Sequence, residues 1–377
     1  MVAMGGGPEL PHPPHAAKEK ELVLCVVPFP ENAAKKGIEK VEEEFEDVEV
    51  RYYYSRVEKG RPVQIDIPED LIHRATYICT LFWLPPTASS IPSIKFIQFF
   101  NAGINNVATH PIYTDSTIPL CSANGVHGPQ IAEWVVMMDL LHSHGFVTYW
   151  EQQKRREWNS RYQEVVVRDR VGKRVGVLGY GSIGRQVARV AKAMGMDVLA
   201  YTASPKPTPE SRKDTGFIVP GTGDPDGSFP SAWYSGTSKE ALHEFLSQEL
   251  DLLVIGVPLT KSTTHLLSTP EFELLHKSNP RGTYVANIAR GPIIDQAALI
   301  AALEGGLIGG AALDVTDPEP LPKEDPLWTA PNCTITPHVS GNTDAYVDRA
   351  FELLRENMRR ERAGGKLVNE VERGRGY

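Results

Sequence analysis

Two sets of residues in this chain have the types and spacing to do chemistry. The first is Gly179-Tyr180-Gly181-Ser182-Ile183-Gly184, which ends the apolar run KRVGVL and passes directly into RQVARVAKAMGM. Strand, glycine turn and helix in that order are the setting in which G-x-G-x-x-G binds the pyrophosphate of a dinucleotide. Gly179 would allow the tight turn, Gly181 the close approach of backbone to phosphate, and Gly184 the close packing of helix on strand. The amides of Ser182 and Ile183 would face the phosphates from the positive end of the helix dipole. A glycine turn with no ligand is the plain alternative.

The second set is Arg290 after TYVANIA, Glu319 after GGAALDV and His338 after CTITP. Each falls just past an apolar run that reads as a strand. Open parallel sheets bind ligands outside the carboxyl ends of their strands, so the three can share one crevice with a nicotinamide. Arg290 can hold a carboxylate through a forked pair of hydrogen bonds and polarise a neighbouring keto oxygen. His338 can give that oxygen a proton as hydride arrives, while Glu319 orients the imidazole and raises its pKa. Singly, each residue has an ordinary explanation: a surface ion pair, a solvated loop acid, a core histidine. Jointly they imply reduction of a 2-oxo acid, or oxidation of a 2-hydroxy acid.

The strand after the glycine motif, MDVLAYT, ends near Thr202, where an NAD site would place an acid for the ribose hydroxyls. Thr202 is not acidic. Ser204, Lys206 and Arg212 follow, and such groups can hydrogen-bond and neutralise a 2′-phosphate. The expected cofactor is therefore NADP(H), with NAD(H) the alternative. If it is NAD(H), Lys206 and Arg212 are solvated loop charges.

These residues need a scaffold, and the chain is long enough to supply one. At 377 residues, 41% hydrophobic and 23% charged, it has the length for two domains and the composition of a globular protein. Its net charge of -8 argues against nucleic acid as a partner. Four cysteines, Cys25, Cys79, Cys121 and Cys333, form no CxxC pair and sit mostly in apolar runs, so reduced core thiols are expected and no metal site. No signal-peptide pattern and no 18-residue apolar run occurs, which makes the cytoplasm the default and a membrane partner unexpected.

Residues 1–20 lack periodicity and read as a disordered leader, in which His12 and His15 are too sparse to assign to a metal. Short β-rich runs follow at 22–27, 48–54, 76–80 and 95–99, with a helical interval at 31–46, as in a small parallel α/β unit. From 130 to 158 a helical pattern interrupted at Gly145 predicts a long helix, or a bent pair, joining two domains. A second alternating unit runs from Lys173 to about His338, and an amphipathic helix is expected over 343–362. The proline- and glycine-rich stretch 203–236 reads as one long loop, either a tolerated surface insertion or a segment shaping the adenosine end of the cofactor site.

The segments VANIARGPIIDQAALIAALEGGLIGGAALDVTDPEPLP and ITPHVSGNT, with GKRVGVLGYGSIGRQVA, FFNAGINNV and SANGVHGPQIAEWVV, resemble the D-isomer-specific 2-hydroxyacid dehydrogenases. The resemblance spans most of residues 80–345. It implies an α/β protein of two Rossmann-like domains with doubly wound parallel sheets. A flavodoxin-like substrate domain, split between 21–142 and 341–377, would flank a dinucleotide-binding domain at 143–340 that carries the 203–236 insertion. By position, Arg290, Glu319 and His338 match the family's catalytic residues. Asp314 matches an acid that binds the nicotinamide carboxamide, or else is a strand-end acid held by backbone amides. Asn101, Ala102 and Gly103 match the loop whose amides receive the substrate carboxylate, and Val257, Pro258 and Thr263 match the nicotinamide wall. Family members that bind NAD usually carry Asp at the place of Thr202.

Phe99, Phe100, Trp83, Leu84, Tyr149 and Trp150 either pack in the core or reach the cleft and favour an aromatic or branched oxo acid. A homodimer is expected from the resemblance and from Trp134, Val135, Val136, Met137 and Met138, more apolar surface than one helix face buries. Two other functions fit the same fold: a dinucleotide-sensing protein like the corepressors that share it, and a formate dehydrogenase relative. The intact Arg290, Glu319 and His338 weigh against the first.

Overall fold

In the computed structural model, described over residues 19–58, 61–63, 65–104, 107–159 and 166–373, the strands form two larger parallel sheets. The first contains β1 (Glu21–Val27), β2 (Val48–Tyr54), β3 (Ala75–Thr80), β4 (Phe96–Phe99) and β5 (Leu120–Cys121), in the order β2-β1-β3-β4-β5 with every pair parallel. Apolar runs without alternation, such as LVLCVV in β1, form strands covered on both faces. Four of the five strands lie where the β-rich runs predict them. β5 is two residues long, too short to show a period. The leader expected over 1–20, with His12 and His15, lies outside the described residues except for Glu19 and Lys20.

The C-terminal helix Tyr346–Arg362 returns to this first sheet and buries Val347, Ala350, Phe351, Leu354 and Met358 in its core. It lies against the helix Glu31–Glu44, where Gly37 faces the Phe351 ring so closely that a Cβ would come within 2.3 Å of it. Beyond it the chain runs beside β5, with hydrogen bonds from Ser122 N to Asn369 O at 3.0 Å and Val371 N to Leu120 O at 2.8 Å.

The second sheet holds β6 (Arg174–Leu178), β7 (Asp197–Thr202), β8 (Ala232–Ser235), β9 (Leu252–Ile255), β10 (Tyr284–Asn287), β11 (Gly310–Leu313) and β12 (Cys333–Ile335), all parallel, in the order β8-β7-β6-β9-β10-β11-β12. This is the doubly wound dinucleotide-binding order extended by one strand. Its direction reverses between β6 and β9, which places the ligand crevice there.

Two sequence readings are corrected here. The stretch 203–236 is not one loop: it contains the short helix Pro209–Arg212 and ends in β8, which pairs with β7 from Ala232↔Leu199 to Ser235↔Thr202. The aromatic AWYS run has the β propensity for this, but its flanking prolines and glycines mask it.

The second correction concerns where the 130–158 segment packs, since its pattern is the bent pair the sequence allowed. It resolves into helices Gly128–Ser143 and Phe146–Arg155, separated at Gly145 with φ 61°. The first helix, assigned above to the substrate unit, packs Ile131, Ala132, Trp134, Val135 and Met138 in the core of the second sheet. Its Asp139 is locked there by a forked pair of bonds from Arg170 at 2.6 and 2.7 Å. Three of the five residues read as dimer surface are thus buried within the chain, while Val136 is half-buried and Met137 exposed. No helix among the described residues is long and apolar enough to cross a membrane.

Candidate active site

The glycine turn has the geometry its sequence asks for. Gly179 takes φ +105°, and a Cβ there would lie 2.6 Å from the Gly256 carbonyl carbon, so the turn presses on the segment leaving β9. At Gly184 a Cβ would come within 2.5 Å of Gly179 O and 2.7 Å of Val177, which is close helix-to-strand contact. At Gly181 an added Cβ meets nothing within 4 Å. The helix Ser182–Ala193 starts at Gly181 with no side-chain cap, so its first amides, at Ser182 and Ile183, lack an internal acceptor. A cradle open at Gly181 and tight at Gly179 and Gly184 fits a pyrophosphate.

Past the ends of β10, β11 and β12, three polar residues converge. His338 Nδ1 lies 3.0 Å from Glu319 Oε2, and both side chains are partly exposed. An ionised carboxylate only accepts, so Nδ1–H is the donor and Nε2 remains for the crevice. The bond to Glu319 raises the His338 pKa above its ordinary value; burial and the Arg290 charge oppose this without cancelling it. For Glu319, burial works toward a higher pKa, but hydrogen bonding and attraction from His338, the Thr316 amide and the Arg290 charge hold it below the usual value. Arg290 is half-buried, spends one N–H on Ala289 O at 2.6 Å, and forms no ion pair among the described residues.

Asp314 is the organiser of this end of the sheet. It is buried at the end of β11 and accepts from Thr336 Oγ1 at 2.6 Å and from the Val339 and Ser340 amides at 2.9 Å, with the Ser340 hydroxyl also bonded. His338 N donates to its carbonyl at 2.9 Å. The 336–340 turn, in which His338 adopts the left-handed φ of 54°, is thereby wrapped around one carboxylate. Asp314 is a strand-end acid held by backbone amides.

On the first lobe, residues 101–103 follow β4. Asn101 Nδ2 donates to Gly103 O at 2.5 Å, while its Oδ1 is buried without a hydrogen bond. Neither the Ala102 nor the Gly103 amide donates to a backbone carbonyl among the described residues. The loop is tied to the His338 side of the molecule by Tyr346, whose hydroxyl donates to Phe100 O. Two crossing segments pack nearby: Gln130 donates to Gly341 O at 3.0 Å, and Arg349 donates to Gln130 Oε1 at 2.9 Å.

Other expected positions are more ordinary. Phe99 and Phe100 are fully buried in the two cores flanking the first sheet and line no cleft, whereas Tyr149 and Trp150 are exposed on the Phe146–Arg155 helix. Trp83 and Leu84 pack beside the core that holds Phe99. Val257 and Pro258 follow β9, and the Pro258 carbonyl accepts from Thr263 Oγ1 at 2.7 Å. At the end of β7, Thr202 Oγ1 donates to Ser204 O at 2.8 Å; Ser204 is exposed and Lys206 half-buried. Arg212 does not stand free, since its Nε donates to Lys206 O at 3.0 Å and its guanidinium covers Trp233 at 5.6 Å.

The family model for the D-isomer specific 2-hydroxyacid dehydrogenase NAD binding domain matches residues 136–219 and 228–340. The chain belongs to this dehydrogenase family. It is thus an oxidoreductase acting on CH–OH groups with NAD(P). This dehydrogenase is 29% identical over 303 residues to glyoxylate/hydroxypyruvate reductase A of Salmonella paratyphi B, covering 79% of the chain and 86% of that relative. Among solved structures it is similar to a D-isomer specific 2-hydroxyacid dehydrogenase of Xanthobacter autotrophicus Py2 in complex with NADPH and MES, at 27% identity and TM-score 0.71, covering 95% of this chain and all of that one. The NADPH-dependent glyoxylate/hydroxypyruvate reductase of Sinorhizobium meliloti shares the fold at 24% identity and TM-score 0.70, with 95% and 100% of the two chains covered.

Sequence reasoning missed two parts of the dehydrogenase site. The contact of Gly256 with the glycine turn left no local pattern. Tyr180 and Arg185, inside and just after the motif, are nearly buried, although a motif reading treats them as variable positions.

Proposed function

We propose that this dehydrogenase reduces a 2-oxo acid with NADPH, using Arg290 to hold the substrate and the His338–Glu319 pair to supply the proton. The observation that carries the reading is the 3.0 Å His338–Glu319 pair at the strand ends, beside an arginine that forms no ion pair among the described residues. When bound, the nicotinamide cofactor supplies the hydride. Arg290 pairs with the substrate carboxylate and draws electron density from the keto oxygen. The Ala102 and Gly103 amides receive the carboxylate from the other lobe, with Asn101 shaping their loop. Nε2–H of protonated His338 gives its proton to the oxygen, and Glu319 stabilises the imidazolium beforehand.

Gly179, Gly181, Ser182, Ile183 and Gly184 hold the pyrophosphate in this reading, Val257, Pro258 and Thr263 wall the nicotinamide, and Asp314 keeps the His338 turn in place. Thr202, Ser204 and Lys206 receive the adenosine ribose and its 2′-phosphate. Support for NADPH over NADH is the absence of an acid at Thr202 and the NADPH bound by the Xanthobacter relative. The relation to glyoxylate/hydroxypyruvate reductase A favours a small oxo acid. We assign the first sheet with the C-terminal helix to the substrate domain and the second sheet to the cofactor. A cytoplasmic homodimer completes the reading, with Met137, Phe146, Val147 and Trp150 as exposed apolar surface for the second copy.

A panel of 2-oxo acids assayed with NADPH and NADH side by side tests the reading. Turnover of a small 2-oxo acid with higher kcat/KM for NADPH is expected. Dinucleotide binding without turnover of any oxo acid would overturn it, and a strong preference for NADH would overturn the cofactor assignment. Light scattering at monomer mass would remove the homodimer.

A further inference from the structure

The segment between β7 and β8 belongs to neither the glycine motif nor the strand-end cluster, and residues 220–227 in its middle fall outside the two stretches that match the family model. Asp224 lies there, 1% exposed. A carboxylate so far from water persists only when its oxygens are hydrogen-bonded. Asp224 accepts from the Ser228 amide at 3.0 Å, the Phe229 amide at 3.1 Å and the Tyr180 hydroxyl at 2.7 Å. Tyr180 is the residue between Gly179 and Gly181.

The same segment grips the outer face of the helix that follows. Arg185 donates to Asp224 O and Arg212 O, each at 2.6 Å, and its guanidinium lies 5.2 Å from the Tyr180 ring centre. Gly223 donates to Gln186 Oε1 at 2.7 Å, and Arg189 donates to Gly223 O at 2.7 Å. Trp233 of β8 packs edge-on against Tyr180 at 5.0 Å. The far end is anchored on the other lobe. Phe217 N donates to Asn369 Oδ1 at 3.4 Å, and its carbonyl sits where a Cβ on Gly125 would come within 1.9 Å. An insertion merely tolerated at the surface has no need of three nearly buried helix and turn side chains, nor of contact with both lobes.

Two glycines flank Tyr180, so the backbone of this turn has conformational freedom to lose on binding. Fixing the Tyr180 side chain removes that freedom before a ligand arrives, and such preorganisation raises affinity without adding a ligand contact. We propose that Asp224 is a positioning residue for the dinucleotide. Through the Tyr180 hydroxyl it holds the Gly179–Gly181 turn in its phosphate-receiving shape, and the segment that delivers it is a brace for the cofactor site. This rests on the reading that the turn binds NADPH.

Titrating full-length protein with NADPH by fluorescence, which needs no turnover, tests the brace. Tyr180→Phe removes one hydroxyl and keeps the ring; it should raise the NADPH Kd about tenfold, as loss of a hydrogen bond to a buried charge would. KM for NADPH should rise in step, while kcat and the oxo-acid KM stay within twofold. Asp224→Asn should match the Kd change, and if it fails to fold, Tyr180→Phe decides alone. A Tyr180→Phe protein with lowered Tm but NADPH Kd within twofold of wild type would leave Asp224 a purely structural residue and overturn the proposal. Wild type that binds neither NADPH nor NADH would sink the proposed function as well, so the two failures are distinguishable.

Discussion

Among the described residues the second lobe has two histidine–glutamate pairs of nearly equal length, and in the proposed mechanism they do different work. His338 and Glu319 meet at 3.0 Å, His243 and Glu271 at 2.9 Å. Glu271 is completely buried at the start of the helix Thr269–Ser278, where it also binds Lys239 and the Ser268 amide as the second half of a capping box. Every oxygen it has is spent on local structure. Glu319 is partly exposed past the end of a parallel strand, with the Thr316 amide on its other oxygen and the Arg290 charge nearby. The chemistry of the pair is the same, so what separates the proposed catalytic pair from a helix cap is where the topology puts it.

Breaking each pair should expose the difference. The largest expected effect is His338→Ala, with kcat/KM for a 2-oxo acid falling about 10³-fold, the scale of a lost general acid, and NADPH Kd within twofold by titration. His243→Ala should leave kcat/KM within twofold in the same assay. Comparable losses in both variants would erase the distinction. Arg290→Ala comes next, with a loss of about 10²-fold, the scale of a lost charge-assisted bond in a dry site. It should appear as a higher oxo-acid KM and a lower kcat in steady-state kinetics.

Glu319→Gln sharpens the comparison through pH. In the proposed mechanism the protonated form of His338 is the acid, and Glu319 raises its pKa. Reduction therefore persists as pH rises until the raised pKa is passed, then falls. Without the carboxylate that pKa drops, so the basic limb of the kcat profile should move to lower pH, with about a tenfold loss at pH 7.5. A limb that stays in place would dissociate the pair.

Glu271→Gln gives the smallest change, and in stability only. Burial opposes ionisation of Glu271, but bonds from His243, Lys239 and Ser268 outweigh it and hold the carboxyl below 4.5. The stability it contributes is present above the unfolded value and lost as pH falls through the folded one. The variant should cost about 1 kcal/mol near neutrality, typical of a lost cap interaction, and its Tm should decline less steeply below pH 4.5. Calorimetry across pH 3–7 checks both.

The comparison also explains what could be read in advance. The convergence of Arg290, Glu319 and His338 was legible because each falls shortly past an apolar run, and strand ends in a parallel sheet face the crevice whatever the loops do. His243 and Glu271 carry no such signal. Asp314 was legible as a strand-end acid, but its choice of partners depends on a turn 25 residues away and was not. The same limit applied to 203–236, where prolines and glycines announced a loop and concealed β8.

From the sequence alone came the periodicities that made two parallel sheets, the glycines whose missing Cβ atoms shape the cofactor turn, and the family that this spacing resembles. These follow from backbone sterics and the burial of apolar runs, which are local. Only the tertiary structure decided that the helix Gly128–Ser143 packs on the second core, that Asp314 holds the His338 turn, and that Asp224 reaches back to the residue between two of those glycines. Each depends on partners brought together from distant parts of the chain, and a buried charge reveals its role only when the groups that satisfy it are in place.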